Sequence, residues 1–164
     1  MRTVTALLAL PFALACAGNP DPVPVAGSVE DLSRMTGEWT GEYGSAQTGR
    51  SGSIVFRLEA GRDTAAGDVV MVPTGSAQAL HPAHGPDVAE SAMASNQLLQ
   101  IRFVRVEGGR VSGALQPYHE PGCDCDLHTT FTGRLEGDSV TGTYQSAGPQ
   151  GDRRTSGWWR IVRR

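Results

Sequence analysis

The sequence predicts an all-β fold: a single eight-stranded antiparallel up-and-down β-barrel with a short N-terminal helix. Three observations predict it. The stretch Phe131–Tyr144 writes out a complete hairpin. Glycine is abundant, at 21 of 164 residues, and the segments between turn signals are short. Inside those segments the pair Ser/Thr-Gly recurs, at Thr36, Thr40, Ser51, Ser112, Thr132, Thr141 and Ser156. Glycine weakens a strand unless the sheet bends sharply or another backbone approaches. Tight barrels need such kinks at repeated positions, although a glycine-rich chain also scatters such pairs by chance.

In the hairpin, a two-residue Gly137-Asp138 loop suits a type II′ turn. That register sets Leu135 opposite Val140, Gly133 opposite Gly142 and Phe131 opposite Tyr144. Alternation puts all six on one face and Thr132, Arg134, Thr141 and Thr143 on the other. One apolar and one wet face describe an antiparallel sheet lying on a core.

Residues 1–16 read as a signal peptide. Arg2 starts it, and the apolar run from Val4 to Ala15 is too short to span a bilayer. Its end, Ala13-Leu14-Ala15-Cys16, resembles the lipobox of bacterial lipoproteins, which implies a lipid on Cys16. An ordinary secretory signal cut after Ala15 is the alternative. Either way the mature chain is expected outside the cytoplasm, in the bacterial envelope. Residues 17–27, with Pro20, Pro22 and Pro24, read as a Pro-rich tether. The barrel domain is assigned to residues 28–164.

Ser28-Val29-Glu30-Asp31 has the form of a capping box with Asp in place of Glu. It predicts a helix of one to two turns ending near Met35, stopped by Gly37. Eight strands are then expected at 37–43, 51–59, 67–72, 97–107, 110–117, 127–136, 139–145 and 154–162. A Gly108-Gly109 turn sets Glu107 opposite Arg110 and Val106 opposite Val111. The apolar phase switches between Phe103 and Val104, which a bulge or two-sided burial would explain. Residues 73–96 form a long loop holding His81, His84 and a candidate short helix over 86–94. Its small, polar composition favours disorder.

The length suffices for one domain with a core. A mixed charge with a formal net of −3 advertises no nucleic-acid surface. No 18-residue apolar run marks a transmembrane helix. The motifs of serine hydrolases, zinc proteases and phosphate-binding loops are missing, so no enzyme is expected.

A short helix, then Gly37-Glu38-Trp39 on the first strand, then an eight-strand meander, resembles the calycin superfamily of lipocalin-like and avidin-like barrels. The resemblance implies that Trp39 closes the barrel and that an Arg of the last strand lies across its indole. Arg160 is the first candidate and Arg163 the second; a guanidinium over an indole is a favourable pair. Gly41 stands where avidins carry a ligand-binding Asn, so biotin binding is not implied, although Ser45 matches a ligand-contacting Ser.

The densest cluster of reactive side chains is His119-Glu-Pro-Gly-Cys123-Asp-Cys125-Asp-Leu-His128. With Cys16 spent on lipid, Cys123 and Cys125 make an even pair, and an oxidising compartment favours a disulfide between them. No cofactor is then expected. The alternative is a metal site of His119, Cys123, Cys125 and His128, suited to zinc or copper. A Cys nucleophile is disfavoured by Asp124 and Asp126, which would raise its pKa. Trp158 and Trp159 should face opposite sides of the last strand.

Three readings follow. The first is an envelope barrel that binds a small hydrophobic molecule, tied to the membrane through its N-terminal lipid. The second is a metal-handling or redox-sensing protein using the Cys-x-Cys/His cluster. The third is an interaction module without a ligand.

Overall fold

The computed structural model describes residues 23–59, 64–73, 81–82, 97–120 and 123–164, with only the backbone course given for 64–73, 81–82 and 97–98. Residues 1–16, expected to be a signal peptide, with Cys16, and the helix expected at 86–94 lie outside the described residues. The elements are β1 (Val23–Gly27), α1 (Val29–Met35), β2 (Gly37–Gly44), β3 (Arg50–Leu58), β4 (Thr64–Pro73), β5 (His81–Pro82), β6 (Gln97–Glu107), β7 (Arg110–Leu115), β8 (Tyr118–Glu120), β9 (Cys125–Glu136), β10 (Ser139–Ala147) and β11 (Thr155–Arg163).

Eight of these strands make an up-and-down barrel. Strands β2, β3, β4, β6, β7, β9, β10 and β11 each pair antiparallel with the next, and β11 returns to β2. The hairpin register holds: Leu135 faces Val140, Gly133 faces Gly142 and Phe131 faces Tyr144. Gly137 has φ 58°, as the first position of a type II′ turn requires, and Gly108 and Gly109 are both left-handed. The phase switch in β6 is a bulge. Ile101 pairs with Leu115 and Phe103 with Ala114, so Arg102 is the extra residue. Leu99 and Ile101 before the bulge, and Val104 and Val106 after it, are therefore all buried.

Two stretches differ from expectation. Residues 23–27, assigned to the tether, form β1. It runs antiparallel to β4 and parallel to β6, filling the gap where those two strands separate. Val23 and Val25 are buried while Pro24 points outward, a period-two signal masked by the prolines. Residues 118–120 and 125–126, outside the eight expected strands, belong to a short β8–β9 ladder with Tyr118 opposite Leu127. The two-residue β5, inside the long loop, adds to its edge with His81 opposite His119.

Inward rows alternate large rings with glycine. Trp159 lies opposite Gly142, which lies opposite Gly133, and a Cβ on either glycine would collide with the indole. Trp159 Nε1 donates to the Thr132 and Thr143 carbonyls at 3.2 Å each. Phe131 meets Trp159 edge-on at 5.7 Å, a favoured aromatic geometry. Trp158 is on the outer face, 48% exposed, as alternation requires.

Helix α1 caps one end. Ser28 is the N-cap, and its Oγ accepts from the Asp31 amide at 3.1 Å. The Asp31 carboxylate takes the Gly108 and Gly109 amides at 3.0 and 3.4 Å, tying the helix to the β6–β7 turn. Those contacts, the Gly108 amide foremost, hold the Asp31 carboxyl below its ordinary pKa. Trp39, fully buried, donates its Nε1 to the Met35 carbonyl at 2.9 Å.

Arg163, not Arg160, covers the Trp39 indole, with its guanidinium 4.4 Å from the ring centre. Parity decides this. Residues 159, 161 and 163 face inward, and Arg163 sits directly opposite Trp39; Arg160 is exposed opposite Glu42. Arg163 also donates to the Thr36 carbonyl, to the Arg34 carbonyl at 2.6 Å and to Asp138 at 2.8 Å. Three unpaired groups of the α1 C-terminus thus meet either an indole N–H or a guanidinium.

Arg163→Ala should destabilise the barrel by roughly 2–4 kcal/mol, through the cation–π contact and the charge-assisted bonds to carbonyls. Arg160→Ala should stay within about 0.5 kcal/mol of the parent. Urea denaturation of both variants checks this; equal losses would contradict the assignment of Arg163.

Candidate functional site

The barrel encloses an apolar cavity of about 80 Å³. It runs along the axis from Met35 at the capped end, past Phe56, Val104 and Trp159, to Tyr43, Tyr118, Thr129 and Tyr144 near the opposite end. The glycine positions make room for it: where Gly113, Gly133, Gly142 and Gly157 face inward there is no side chain beyond the rings that lie over them.

All three tyrosines of the chain line the cavity at that second end. Tyr43 and Tyr144 meet edge-to-face at 6.2 Å. Tyr118, Thr129 and Ser146 form a buried hydroxyl cluster, with Thr129 Oγ1 2.6 Å from Ser146 Oγ and donating to the Tyr118 hydroxyl at 3.2 Å. The Tyr144 hydroxyl lies near Ser45, whose own hydroxyl donates to the Ser156 carbonyl at 2.7 Å.

Tyr43 differs from the other two. It is 4% exposed, and among the described residues its hydroxyl is the one buried side-chain polar atom without a hydrogen-bond partner. Such a group loses its hydration without compensation and calls for an explanation. Burial, with Tyr144 and Tyr118 nearby, pushes its pKa far above the ordinary tyrosine value. Burial raises that of Tyr144 as well. Tyr43 therefore stays a neutral phenol that can donate one hydrogen bond.

Beyond the tyrosines lies an outer cleft of about 310 Å³ lined by Thr48, Arg50, Glu120, Cys123, Leu127, Arg153, Arg154 and Thr155, with Tyr118 and Tyr144 as its floor. Arg50 and Glu120 form a bidentate ion pair across it, with one of the two contacts at 2.6 Å. Both side chains are nearly buried, at 12% and 13% exposed. A planar fork on a carboxylate is the geometry that makes such pairs strong.

The Cys-x-Cys/His cluster sits on the rim. Cys123 and Cys125 are joined as a disulfide across Asp124, which takes a left-handed φ of 49°. The sulfurs are bonded to each other and are not available as thiolate ligands. His119 lies between Asp124 and Asp126, at 3.3 and 3.4 Å. His128 points outward from β9, exposed, with the backbone of Ala147 opposite. The disulfide expected first is the one formed, and the four ligands of the alternative metal site are not brought together. Among the described residues no three His, Cys, Asp or Glu side chains are grouped to hold a metal. Of His81 only the backbone position beside His119 is described, and His84 lies outside the described residues.

Tyr43, Tyr118, Arg50, Glu120, Arg153 and Arg154 carry this site, and sequence motifs did not point to them. They are far apart in the chain, and no spacing rule links them. The one available signal was register, since a barrel sets Tyr43 and Tyr144 on the inner face at a similar height. No protein-family model matches the chain, and neither a curated protein nor a solved structure matches it.

Tyr43→Phe should leave the empty barrel as stable as the parent or about 1 kcal/mol more stable, because it removes an unmet polar group. A loss above about 1 kcal/mol in thermal or urea unfolding would mean that the hydroxyl is satisfied. The raised pKa values also have a sign. Unfolded tyrosines release protons near pH 10, whereas folded Tyr43 and Tyr144 keep theirs. Stability contributed by the protonated phenols is complete below that pH and is lost as pH rises above it. Tyrosinate absorbance during alkaline titration should therefore rise for Tyr43 and Tyr144 only with unfolding; their early ionisation in a folded chain would contradict it.

Proposed function

We propose that this chain is an exported, lipid-anchored envelope protein whose calycin-like barrel binds a small hydrophobic molecule and catalyses no reaction. The observation that carries the reading is the Tyr43 hydroxyl, unpartnered and buried at one end of an apolar cavity. Ligand sites combine apolar walls with a few placed polar groups, and one neutral donor at the end of a greasy channel fits that pattern. The size of the cavity narrows the ligand. At about 80 Å³ it is roughly half the ~150 Å³ apolar cavity that accepts benzene, so the group it takes up is no larger than a few carbon atoms. The Cys123–Cys125 disulfide favours an oxidising compartment, in keeping with a signal segment ahead of Cys16.

The test is to produce the mature domain in a bacterial periplasm and measure its native mass and its tryptophan fluorescence. Trp159 lines the cavity, so an apolar chain entering it should change that emission. The expected result is a co-purifying small organic molecule, or saturable binding of an added alkyl chain whose signal vanishes in Trp159→Phe. A ligand-free mass together with no saturable response to alkyl compounds would overturn the reading.

A further inference from the structure

The outer wall of the barrel carries a patch that the cavity does not use. Parity puts Arg110, Arg134 and Arg160 on the solvent face of β7, β9 and β11. Register places them in one row across the strands: Arg110 opposite Arg134, Arg134 opposite Thr141, and Thr141 opposite Arg160. A second row runs beside it, made of Ser112, Thr132, Thr143 and Trp158. Where the rows meet over Gly133 and Gly142 lies a groove of about 330 Å³, lined by Arg110, Arg134, Thr132, Thr141 and Thr143.

Two features of this face call for a partner. Arg110 and Arg134 face each other directly, and like charges so placed repel. Among the described residues none of the three arginines is in an ion pair. Carboxylates stand at the margins of the row: Glu107, beyond Arg110, is held by Arg105 at 3.1 Å, and Glu42 lies beyond Arg160. The second feature is Trp158. Its indole lies over Gly44 of β2, where an added Cβ would come within 3.0 Å of two ring carbons. The ring is thus laid along the wall with glycine backbone behind it, and the residue is 48% exposed. An open aromatic face stands at the end of a row of hydroxyls.

We infer that this outer face binds an acidic polysaccharide, its acid groups on Arg110 and Arg134 and a sugar ring on the Trp158 indole. Arginine forks bind the oxygens of an acid group in pairs. Threonine hydroxyls both donate and accept, as sugar hydroxyls require. The weakly positive C–H face of a sugar ring packs on the negative face of an indole. Neighbouring strands lie ~4.8 Å apart, so the strip from β7 to β2 runs roughly 19 Å around the wall, room for several sugar units. A peptide strand has no edge to join here, because β7, β9, β10 and β11 are each paired on both sides. Hydroxyl and guanidinium groups wall the groove, and these do not sink into a bilayer core. The inference is independent of what the barrel interior holds.

The experiment titrates the mature chain, carrying Cys16→Ser so that no lipid is attached, with four probes. These are a galacturonic acid oligomer, a glucose oligomer of the same length, single-stranded DNA of the same charge, and phosphatidylglycerol vesicles. The acidic oligomer should bind roughly tenfold tighter than the neutral one, the scale of one charge-assisted contact. That preference should shrink at high salt, as exposed charges are screened. In Arg110→Gln/Arg134→Gln, both exposed positions, the ratio should fall toward one. The melting temperature should hold or rise, because a like-charge contact is gone. Trp158→Ala should weaken both oligomers together. Equal affinity of the parent chain for the two oligomers would overturn the inference. DNA binding as tightly as the acidic oligomer would also overturn it, making the face a general polyanion surface. Vesicle binding without oligomer binding would make it a membrane face instead, and no binding of any probe would leave it without a ligand; either result sinks the inference.

Discussion

Trp159 lies across Gly133 and Gly142, and the barrel interior depends on that one contact. An eight-stranded barrel is just wide enough for its own side chains to fill. Here two neighbouring strands give up their side chains at the level where β11 presents an indole. The indole N–H reaches the Thr132 and Thr143 carbonyls, so the ring is held flat against backbone instead of projecting to the axis. Tyr144 over Gly157 and Phe131 over Gly113 repeat the arrangement. Large rings laid along the wall leave the axis partly open, and the cavity is the space left by this packing.

The two ends of the barrel are built on different terms. At the α1 end the Trp39 N–H, the Arg163 guanidinium and the last carbonyls of the helix satisfy one another, and Asp31 ties the helix to the β6–β7 turn. At the other end the Tyr43 hydroxyl is left over among the described residues, beside an outer cleft that holds the Arg50–Glu120 pair and is also lined by Arg153 and Arg154. A buried network tolerates few incomplete members. The one unmet buried side-chain group among the described residues thus lies at the end of the cavity away from α1.

Local rules made the hairpins legible. Gly137-Asp138 and Gly108-Gly109 turns set registers that the structure reproduces residue for residue, and the apolar phase change in β6 marked its bulge. Longer-range features were harder. Arg160 and Arg163 are equivalent to a motif search, and only the inner-face parity of β11 selects Arg163. β1 was hidden because Pro24 reads as a tether, while the sign of a strand lay in Val23 and Val25 on either side of it. Reactive residue types drew attention to Cys123, Cys125, His119 and His128, of which the two cysteines close a disulfide beside the cleft while His128 points outward from β9. The tyrosines and arginines that line the site come from β2, β3, β8, β10 and the β10–β11 connection, and only barrel closure brings them to one place.

The central claim is that the interior holds a small hydrophobic molecule whose polar end meets Tyr43. A crystal structure of the mature domain purified from a bacterial periplasm, without added ligand, tests it most directly. The account predicts density along the axis between Met35 and Tyr43, with an oxygen within hydrogen-bond distance of the Tyr43 hydroxyl. An axis closed by inward rotation of Phe131 or Tyr144, or a Tyr43 hydroxyl bonded to the protein itself, would contradict it.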